Sequence, residues 1–474
     1  MTLAGQVALA HPYASGITNN GGTIQFIMNE AGATVSVTFE DASTISLGVL
    51  AKGINGFALG AHSSYSISCT KTGNGTPVLI STDTDRFSVW NSPRGVDVNK
   101  NPKLGYLFGR TYVGNNIAGG TAPNNKGVGL YALNADLSDS PLGHGATAWG
   151  GAIFSGSVAS GGFAGSGPWR LRVAPDNTIY VGDSSPIHAC VWQYAPDLSS
   201  SNQVLAIIGR DAAALAGIHG DFFGTPLATG SIATGDLVLW TGDSGMGAPA
   251  SATLGPGTSP NSFNCLFRYD IGAGPLPWNQ PPNYAYTMGL DGIAELRTEV
   301  ELGKDGKIIA GFGRSDLSTA NIQILDPAGT TVLYNSLHDG ADLFNGVRGS
   351  GSAAGTYCGV RVSPDGLFLA SVDANNGITI ATLTNGIPDE GSIFSIPNTP
   401  ASPNSRDLEQ LGFQFRHDLC REPARAGAAG DQRAVECNRS PAVFPAHVSG
   451  KRGWRRKIMT VCSAELVAGS GPLR

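Results

Sequence analysis

Five related segments, each holding three short strands, make up most of this sequence. The clearest copy lies between Pro168 and Ser199. In it an apolar strand ends at the turn Pro175–Asn177, a second strand follows at Thr178–Val181, and a third at Cys190–Tyr194. β-branched and aromatic residues between clusters of Pro, Asp, Asn and Gly are typical of antiparallel strands joined by turns. Because one such unit cannot bury both of its faces, the repeated units are predicted to pack on one another.

The copies share the same order of strands and turns. The first strands with their turns are predicted at Arg94–Asp97, Arg172–Asn177, Val300–Gly306 and Arg361–Gly366, with a weaker copy reaching Gly235-Asp236. The second strands are predicted at Tyr106–Gly109, Thr178–Val181, Leu237–Trp240, Lys307–Ala310 and Leu367–Ala370. The third strands are predicted at Gly129–Leu133, Cys190–Tyr194, Cys265–Tyr269, Asn321–Leu325 and Ile378–Ile380. Asp-Gly and Asp-Asn suit turns that need a positive φ.

The spacing of the copies favours a ring of blades over a sandwich. The copies recur every roughly 55–75 residues, which is longer than the common blade repeats of about 40–50 residues. The extra residues are therefore predicted to form loops on one face. The Gly-, Pro- and Asn-rich segments that fit this description are 114–126, 143–167, 210–229, 244–262 and 272–290. We predict a β-propeller over residues 92–415, with about five to seven blades.

The turn motif Ala/Ser-Pro-Asp-Asn/Gly before an apolar strand resembles that of NHL, gluconolactonase-like and WD-type propellers. The segments that carry the likeness are Pro168–Asp183 and Arg361–Asp373. The motif specifies an architecture and not an activity.

Residues 21–91 are predicted to form a separate antiparallel sandwich after a short N-terminal segment, residues 1–20. Apolar and polar residues alternate in Thr23–Met28, Thr34–Phe39 and Tyr65–Cys69. The stretch resembles the Ig-like domain of flagellar-hook-capping-type proteins, a likeness carried by Ile24–Glu30, by Val35, Val37 and Phe39, and by Gly60–His62. The resemblance implies a spacer or assembly module without chemistry. The expected fold class is all-β, an N-terminal Ig-like β-sandwich followed by the propeller.

Composition points to an extracellular or cell-surface β-protein. Charged residues make up 14% of the chain, against roughly 25% in an average globular protein. No apolar run is long enough to span a membrane, and the N-terminus lacks the basic and apolar regions of an intact signal peptide. Residues 1–415 carry a net charge of −12 and residues 416–474 one of +6. The acidic body disfavours nucleic acid as a partner.

The last segment, residues 416–474, departs from the repeat. Its turn signals disappear, and Cys, Arg and Ala become frequent. We interpret it as an atypical basic tail that is disordered, out of frame or fusion-derived. A genuine tail that binds an anionic surface is the alternative.

Three aspartates follow the second strands and are the candidate metal ligands: Asp183, Asp243 and Asp373. Gluconolactonase-like propellers hold a divalent metal with Glu, Asn and Asp ligands and hydrolyse lactones or esters, so the resemblance implies such a site. Calcium prefers hard oxygen ligands of this kind. The alternative is that these carboxylates only accept hydrogen bonds from the backbone at strand ends.

Two other candidates come from the loops. His219 and Asp221 lie two residues apart, and His219 is a candidate general base. Trp278, in a Pro-rich segment, is the candidate for stacking on a sugar, whereas Trp192 and Trp240 are expected in the core. Cys190, Cys265 and Cys358 are expected as buried thiols, because no Cys-x-x-Cys pair occurs.

Two functions stay open at this point. One is a non-catalytic extracellular protein whose loops bind a glycan or a protein. The other is a calcium- or other metal-dependent hydrolase that acts on a small lactone or ester at the propeller channel.

Overall fold

A computed structural model describes the chain over 12–72, 93–101, 105–116, 128–140, 142, 152–153, 167–183, 188–208, 224–242, 265–277, 280, 282–287, 299–311, 322–336, 339, 359–363, 366–373, 377–396, 436–437 and 464–469. Regular structure in these residues consists of β-strands. No helix of the described residues is long and apolar enough to cross a membrane. The predicted all-β class is confirmed for this part of the chain.

The N-terminal region forms two antiparallel sheets around one core. Its strands are β1 (Ala14–Asn20), β2 (Thr23–Met28), β3 (Ala33–Phe39), β4 (Thr44–Leu50), β5 (Gly53–Ala58) and β6 (Ser64–Thr70). One sheet has the order β1-β2-β5 and the other contains β6-β3-β4. Phe26, Val37 and Ile67 are buried in the shared core, because alternate residues of each strand face inward. The predicted strands are confirmed, whereas the Ig-like assignment stays a prediction.

Two further strands come from the C-terminal tail. They are β27 (Glu436–Cys437) and β28 (Ala464–Gly469). β28 pairs antiparallel with β6, so the larger sheet has the order β27-β28-β6-β3-β4. The domain boundaries and the interpretation of the tail as disordered or out of frame stay predictions.

The rest of the described chain forms five four-stranded antiparallel sheets, which we call blades 1 to 5. Blade 1 contains β7 (Pro93–Val98), β8 (Thr111–Asn115), β9 (Gly129–Leu133) and β10 (Ala152–Ile153). Blade 2 contains β11 (Pro168–Val173), β12 (Ile179–Asp183), β13 (His188–Tyr194) and β14 (Ser201–Ile208). Blade 3 contains β15 (Leu227–Thr229), β16 (Leu237–Gly242), β17 (Cys265–Gly272) and β18 (Tyr284–Thr287). Blade 4 contains β19 (Glu299–Leu302), β20 (Ile308–Gly311), β21 (Ile322–Leu325) and β22 (Val332–Asn335). Blade 5 contains β23 (Gly359–Val362), β24 (Phe368–Asp373), β25 (Gly377–Thr384) and β26 (Ile387–Ile396).

The five blades close into a ring. Apolar clusters join blade 1 to 2, 2 to 3, 3 to 4 and 4 to 5. Blade 5 meets blade 1 where Arg361 Nη2 donates a hydrogen bond to the Val96 carbonyl, at 2.8 Å. Consecutive meanders that pack face to face around a common centre are a β-propeller. The five blades lie at the lower end of the predicted number.

The predicted turns have the backbone that their residues require. Asn177, Gly306 and Gly366 have φ values of 74°, 81° and 72°. Positive φ is unstrained for Gly and tolerated by Asn, so the Asp-Gly and Asp-Asn signals correctly marked the ends of the first strands.

One predicted strand is wrong. Tyr106–Gly109 forms a turn between the first two strands of blade 1, and the second strand is β8. Gly109 has a φ of 76°, which interrupts an extended strand. Phe108 packs against the ring of Tyr13, from the N-terminal region, with centroids 5.3 Å apart. The apolar side chain of Phe108 therefore packs against the N-terminal region.

The meander gives the propeller two different faces. At the turn face, first strands lead into second strands and third into fourth. At the loop face, second strands lead into third strands, and fourth strands lead into the next blade. Connections 116–128, 209–226 and 243–264 belong to the loop face. The prediction that all extra residues lie on one face needs correction, because connections 134–151 and 273–283 belong to the turn face.

The sandwich attaches at the turn face of blade 1. Ile17 N–H donates to the Gly105 carbonyl at 3.4 Å, and Tyr13 packs on Phe108. Both partners lie in connection 99–110, which joins β7 to β8. The loop face is therefore on the other side of blade 1 from this joint.

Candidate functional site

The first strands of blades 2, 4 and 5 bring buried charges together at the propeller axis. Arg172 Nη1 lies 3.0 Å from Glu299 Oε1, and Arg361 Nη1 donates to the same oxygen. Arg172 and Arg361 are 4% and 3% exposed, and Glu299 is fully buried. Glu301 adds a second carboxylate, with Oε2 3.6 Å from Arg172 Nη2. Charges this deep in a protein are tolerated only when they are paired.

Main-chain groups complete the arginine contacts. Arg172 Nη2 donates to the Val300 carbonyl at 2.8 Å, and Arg361 Nη1 donates to the Val360 carbonyl at 2.7 Å. Since Arg361 also reaches the Val96 carbonyl, its guanidinium links the first strands of blades 1, 4 and 5. We call Asp97, Arg172, Glu299, Glu301 and Arg361 the axial charge cluster.

Asp97 ties blade 1 into this cluster. Its Oδ1 accepts a hydrogen bond from its neighbour Val98 N–H, and its Oδ2 accepts one from Val173 N–H in blade 2, each at 2.9 Å. Burial opposes ionisation of Asp97, but the charges of Lys100, Arg361 and Arg172 and the Val173 hydrogen bond prevail, so its pKa lies below the ordinary value of 3.8. Asp97 is therefore a carboxylate at neutral pH.

Glu299 is held ionised in the same way. Burial alone would raise its pKa, but Arg361, Arg172 and Arg170 lower it below the ordinary value of 4.5. Burial likewise opposes the charge of Arg361, and Glu299, Asp97 and Glu301 raise its pKa. The Arg172 and Arg361 guanidinium groups thus both lie against the ionised Glu299 carboxylate, which offsets the cost of burying these charges.

Nearer the loop face, an aromatic ring contacts two more arginines. The Arg94 guanidinium carbon lies 4.7 Å and that of Arg170 5.6 Å from the centroid of the Trp169 ring. Arg170 Nη1 also donates to the Arg94 carbonyl at 3.0 Å. Trp169 is 4% exposed. Its cation–π contacts join blades 1 and 2 at the loop-face end of the axis.

The predicted loop residues lie outside the described part of the chain. His219 and Asp221 belong to connection 209–226 and Asp243 to connection 243–264, both of the loop face. Trp278 belongs to connection 273–283, of the turn face. Their predicted roles as base, metal ligand and sugar contact stay predictions.

The other two predicted metal ligands end second strands, as expected. Asp183 ends β12 and is fully buried, opposite Pro168 in the register of β11. Asp373 ends β24, and only its backbone is described. Among the described residues, no three His, Cys, Asp or Glu side chains group closely enough to hold a metal ion. Because Asp243 is not among those residues, the metal site stays a prediction.

Two predicted core tryptophans and one predicted cysteine are buried. Trp192 and Trp240 are 7% and 6% exposed and belong to the apolar clusters between blades, as predicted. Cys190 is a buried thiol, also as predicted, and Cys69 is another. Burial raises the pKa of Cys69 to about 12, so this thiol stays protonated and unreactive. Cys358 lies outside the described residues.

Sequence reasoning missed the axial charge cluster, although a signal for it was present. Asp97, Arg172, Glu301 and Arg361 each directly precede the apolar residue that ends a first strand. An ionisable residue thus stands at the same place in four of the five copies, and β15 carries none. The residue types at this position differ in the sign of their charge, so a search for strand and turn signals does not detect it.

No model of a known protein family matches the sequence, and no curated protein sequence matches it either. Solved structures with some likeness include a protein from Lactobacillus plantarum, at 12% identity over 76% of this chain and 94% of that one, with a TM-score of 0.32. Another is the extracellular domain of the hybrid two component system BT3049 from B. thetaiotaomicron, at 10% identity over 83% and 42%, with a TM-score of 0.34. A third is the C-terminal WD40 domain of Sif2, at 11% identity over 80% and 83%, with a TM-score of 0.30. Likenesses at this level carry no argument about function, and the propeller assignment follows from the strand order and ring closure.

Proposed function

We propose that this chain is a non-catalytic, extracellular or cell-surface binding protein whose loop face takes a glycan or a protein ligand. The observation that carries the proposal is the axial charge cluster. Glu299 is buried between Arg172 and Arg361, so the centre of the propeller is occupied by side chains that are already paired with one another. Binding is therefore assigned to the loops around the axis and not to the axis itself.

The attachment of the sandwich supports the same assignment. Ile17 and Tyr13 contact connection 99–110 at the turn face, which leaves the longest connections on the opposite side. Surface loops held by a rigid scaffold commonly carry binding residues. Segment 243–264 is rich in Gly, Ser, Pro and Thr, a composition suited to adaptable hydrogen bonding.

The proposal is tested by binding to an array of immobilised glycans and polysaccharides. One variant replaces residues 246–262 with a short Gly-Ser linker at the loop face, and the control is Thr330→Ala, an exposed residue of the turn-face connection between β21 and β22. We expect the linker variant to lose at least tenfold in affinity and Thr330→Ala to bind as the parent does. Thermal unfolding of both variants checks that the propeller is intact.

The opposite pattern, or the absence of glycan and protein ligands in the array and in a pull-down with purified surface proteins, contradicts the proposal. If the linker variant fails to fold, alanine substitutions of Asn261, Ser262 and Asn264 serve in its place.

A metal-dependent lactone or ester hydrolase is the second candidate. It is favoured by the matching positions of Asp183 and Asp373 at the ends of β12 and β24. A melting temperature that rises with calcium, together with lactone turnover that EDTA abolishes and Asp183→Asn weakens, would support this candidate over binding alone.

A further inference from the structure

The outer edge of β6 carries a strand from the far end of the chain. β28 pairs with β6 over six residue pairs, from Ala464 opposite Cys69 to Gly469 opposite Ser64. The register is continuous, and the pairing joins residues about 400 positions apart in sequence. The N-terminal sandwich is thus completed by a segment that follows the last blade.

The edge of β6 is suited to accept a strand. Its sequence, Ser64–Thr70, contains no Lys, Asp, Glu or Pro, the residues that commonly protect sheet edges from pairing. Its pairing with β3 is regular. At the opposite edge of the same sheet, β4 is bulged, with a register shift opposite Val35 and Ser36 and a positive φ at Gly48. A bulge protects a sheet edge from pairing with another strand. The β4 edge is therefore protected, whereas the β6 edge is open to strand addition.

β6 is also held by contacts other than those with β28. Tyr65, Ile67 and Cys69 are buried in the sandwich core, and the strand is paired along its inner side with β3. A fixed strand presents its outer N–H and C=O groups in the geometry that another strand needs. Such preorganisation lowers the entropic cost of strand addition.

We propose that the outer edge of β6 is a strand-acceptor site whose occupant exchanges between the chain's own Ala464–Gly469 segment and the same segment of a second copy. Residues 397–463 separate β26 from β28, and a chain of this length reaches at most about 220 Å when fully extended. The tail is therefore long enough to reach a neighbouring molecule. Exchange of an identical element between copies is a known route to assembly.

Concentration decides which occupant prevails. A tethered strand has a higher effective concentration at its site than the same strand of another molecule in dilute solution, so the chain's own strand fills the site there. Crowded copies at a surface would favour exchange. Main-chain pairing depends little on side-chain identity, so the acceptor property belongs to β6 whatever the origin of the tail.

The test compares the full-length chain with the full-length double variant Leu466→Pro/Val467→Pro, which removes adjacent N–H groups from β28. The probe is a fluorescent peptide of residues 463–470, and the control peptide carries the same two prolines. We expect the variant to bind the probe at least tenfold more tightly than the parent, whose site is filled, and not to bind the control. Hydrogen exchange at residues 64–70 should be faster in the variant and slow again when the probe is added.

The second copy is tested by light scattering over a range of protein concentrations. We expect dimers or larger species of the parent at high concentration and not of the variant. The proposal is overturned if exchange at residues 64–70 is unchanged in the variant, if parent and variant bind the probe equally, or if neither binds it. If the variant binds the probe but the parent does not assemble at high concentration, a second copy is not the occupant of the β6 edge.

Discussion

At the scale of single residues, the most consequential position is Glu299. Its carboxylate has no exposed surface and contacts two buried guanidinium groups from different blades. An ion pair of this kind need not stabilise a protein more than apolar residues would, but loss of one partner leaves an uncompensated buried charge. The sequence position therefore tolerates little change.

We predict that Glu299→Gln lowers the free energy of unfolding by about 3 kcal/mol. The substitution keeps the shape and removes the charge that Arg172 and Arg361 share. The matched control is Asp270→Asn, which breaks an exposed pair in which Arg268 Nε lies 2.8 Å from Asp270 Oδ1 and should cost less than about 1 kcal/mol. Urea unfolding at pH 7 measures the stability of both variants. Equal losses of free energy of unfolding would show that the axial ion pairs matter no more for stability than the exposed pair.

At the scale of elements, connection 99–110 shows how a single turn joins blade 1 to the N-terminal sheets. Its residues Leu107 and Phe108 are buried, and Gly109 at the end of the turn lies against Tyr13 of the N-terminal region. A Cβ at Gly109 would come within 2.5 Å of the Tyr13 ring. The turn thus needs glycine both for its positive φ and for the close approach of the ring.

We predict that Gly109→Ala destabilises the protein more than Gly21→Ala does. Both glycines have positive φ, at 76° and 61°, so both variants bear the left-handed cost of about 1–2 kcal/mol. A Cβ at Gly21 meets nothing within 4 Å, whereas one at Gly109 meets Tyr13. Melting temperatures of the two variants measure the difference, and a Gly21→Ala variant that melts as low as Gly109→Ala would contradict the joint described here.

At the scale of the whole molecule, the ring of blades is closed by charge as well as by apolar packing. Four of the contacts between blades are apolar clusters, and the fifth includes the hydrogen bond of Arg361 to blade 1. Asp97 and Glu299 lie next to that closure and are both held ionised. The stability of the ring is therefore coupled to pH.

We predict that acid weakens the ring through these carboxylates. Their folded pKa values lie below the ordinary values of 3.8 and 4.5, so their stabilisation is complete above about pH 5 and is lost as pH falls through the folded pKa values. The free energy of unfolding, measured by urea between pH 3 and pH 7, should fall as the pH is lowered below about 5. Glu40 and other exposed carboxylates also lower the stability in acid. The diagnostic result is therefore a free energy of unfolding that falls less steeply with pH in Glu299→Gln than in the parent. Identical slopes would contradict a role of Glu299 in the acid sensitivity.

Local patterns in the sequence determined the repeat, its turns and most of the first three strands of each blade, but they missed β8 and the fourth strands. Alternation set β2, β3 and β6, and Asp-Asn and Asp-Gly set the turns at Asn177, Gly306 and Gly366, because strand period and positive φ depend on neighbouring residues alone. Only the tertiary structure decided that Leu107 and Phe108 belong to a joint with Tyr13, and that Arg172, Glu299 and Arg361 meet at one axis. Those contacts join residues that are far apart in the chain, and their charges compensate one another only after the ring has closed.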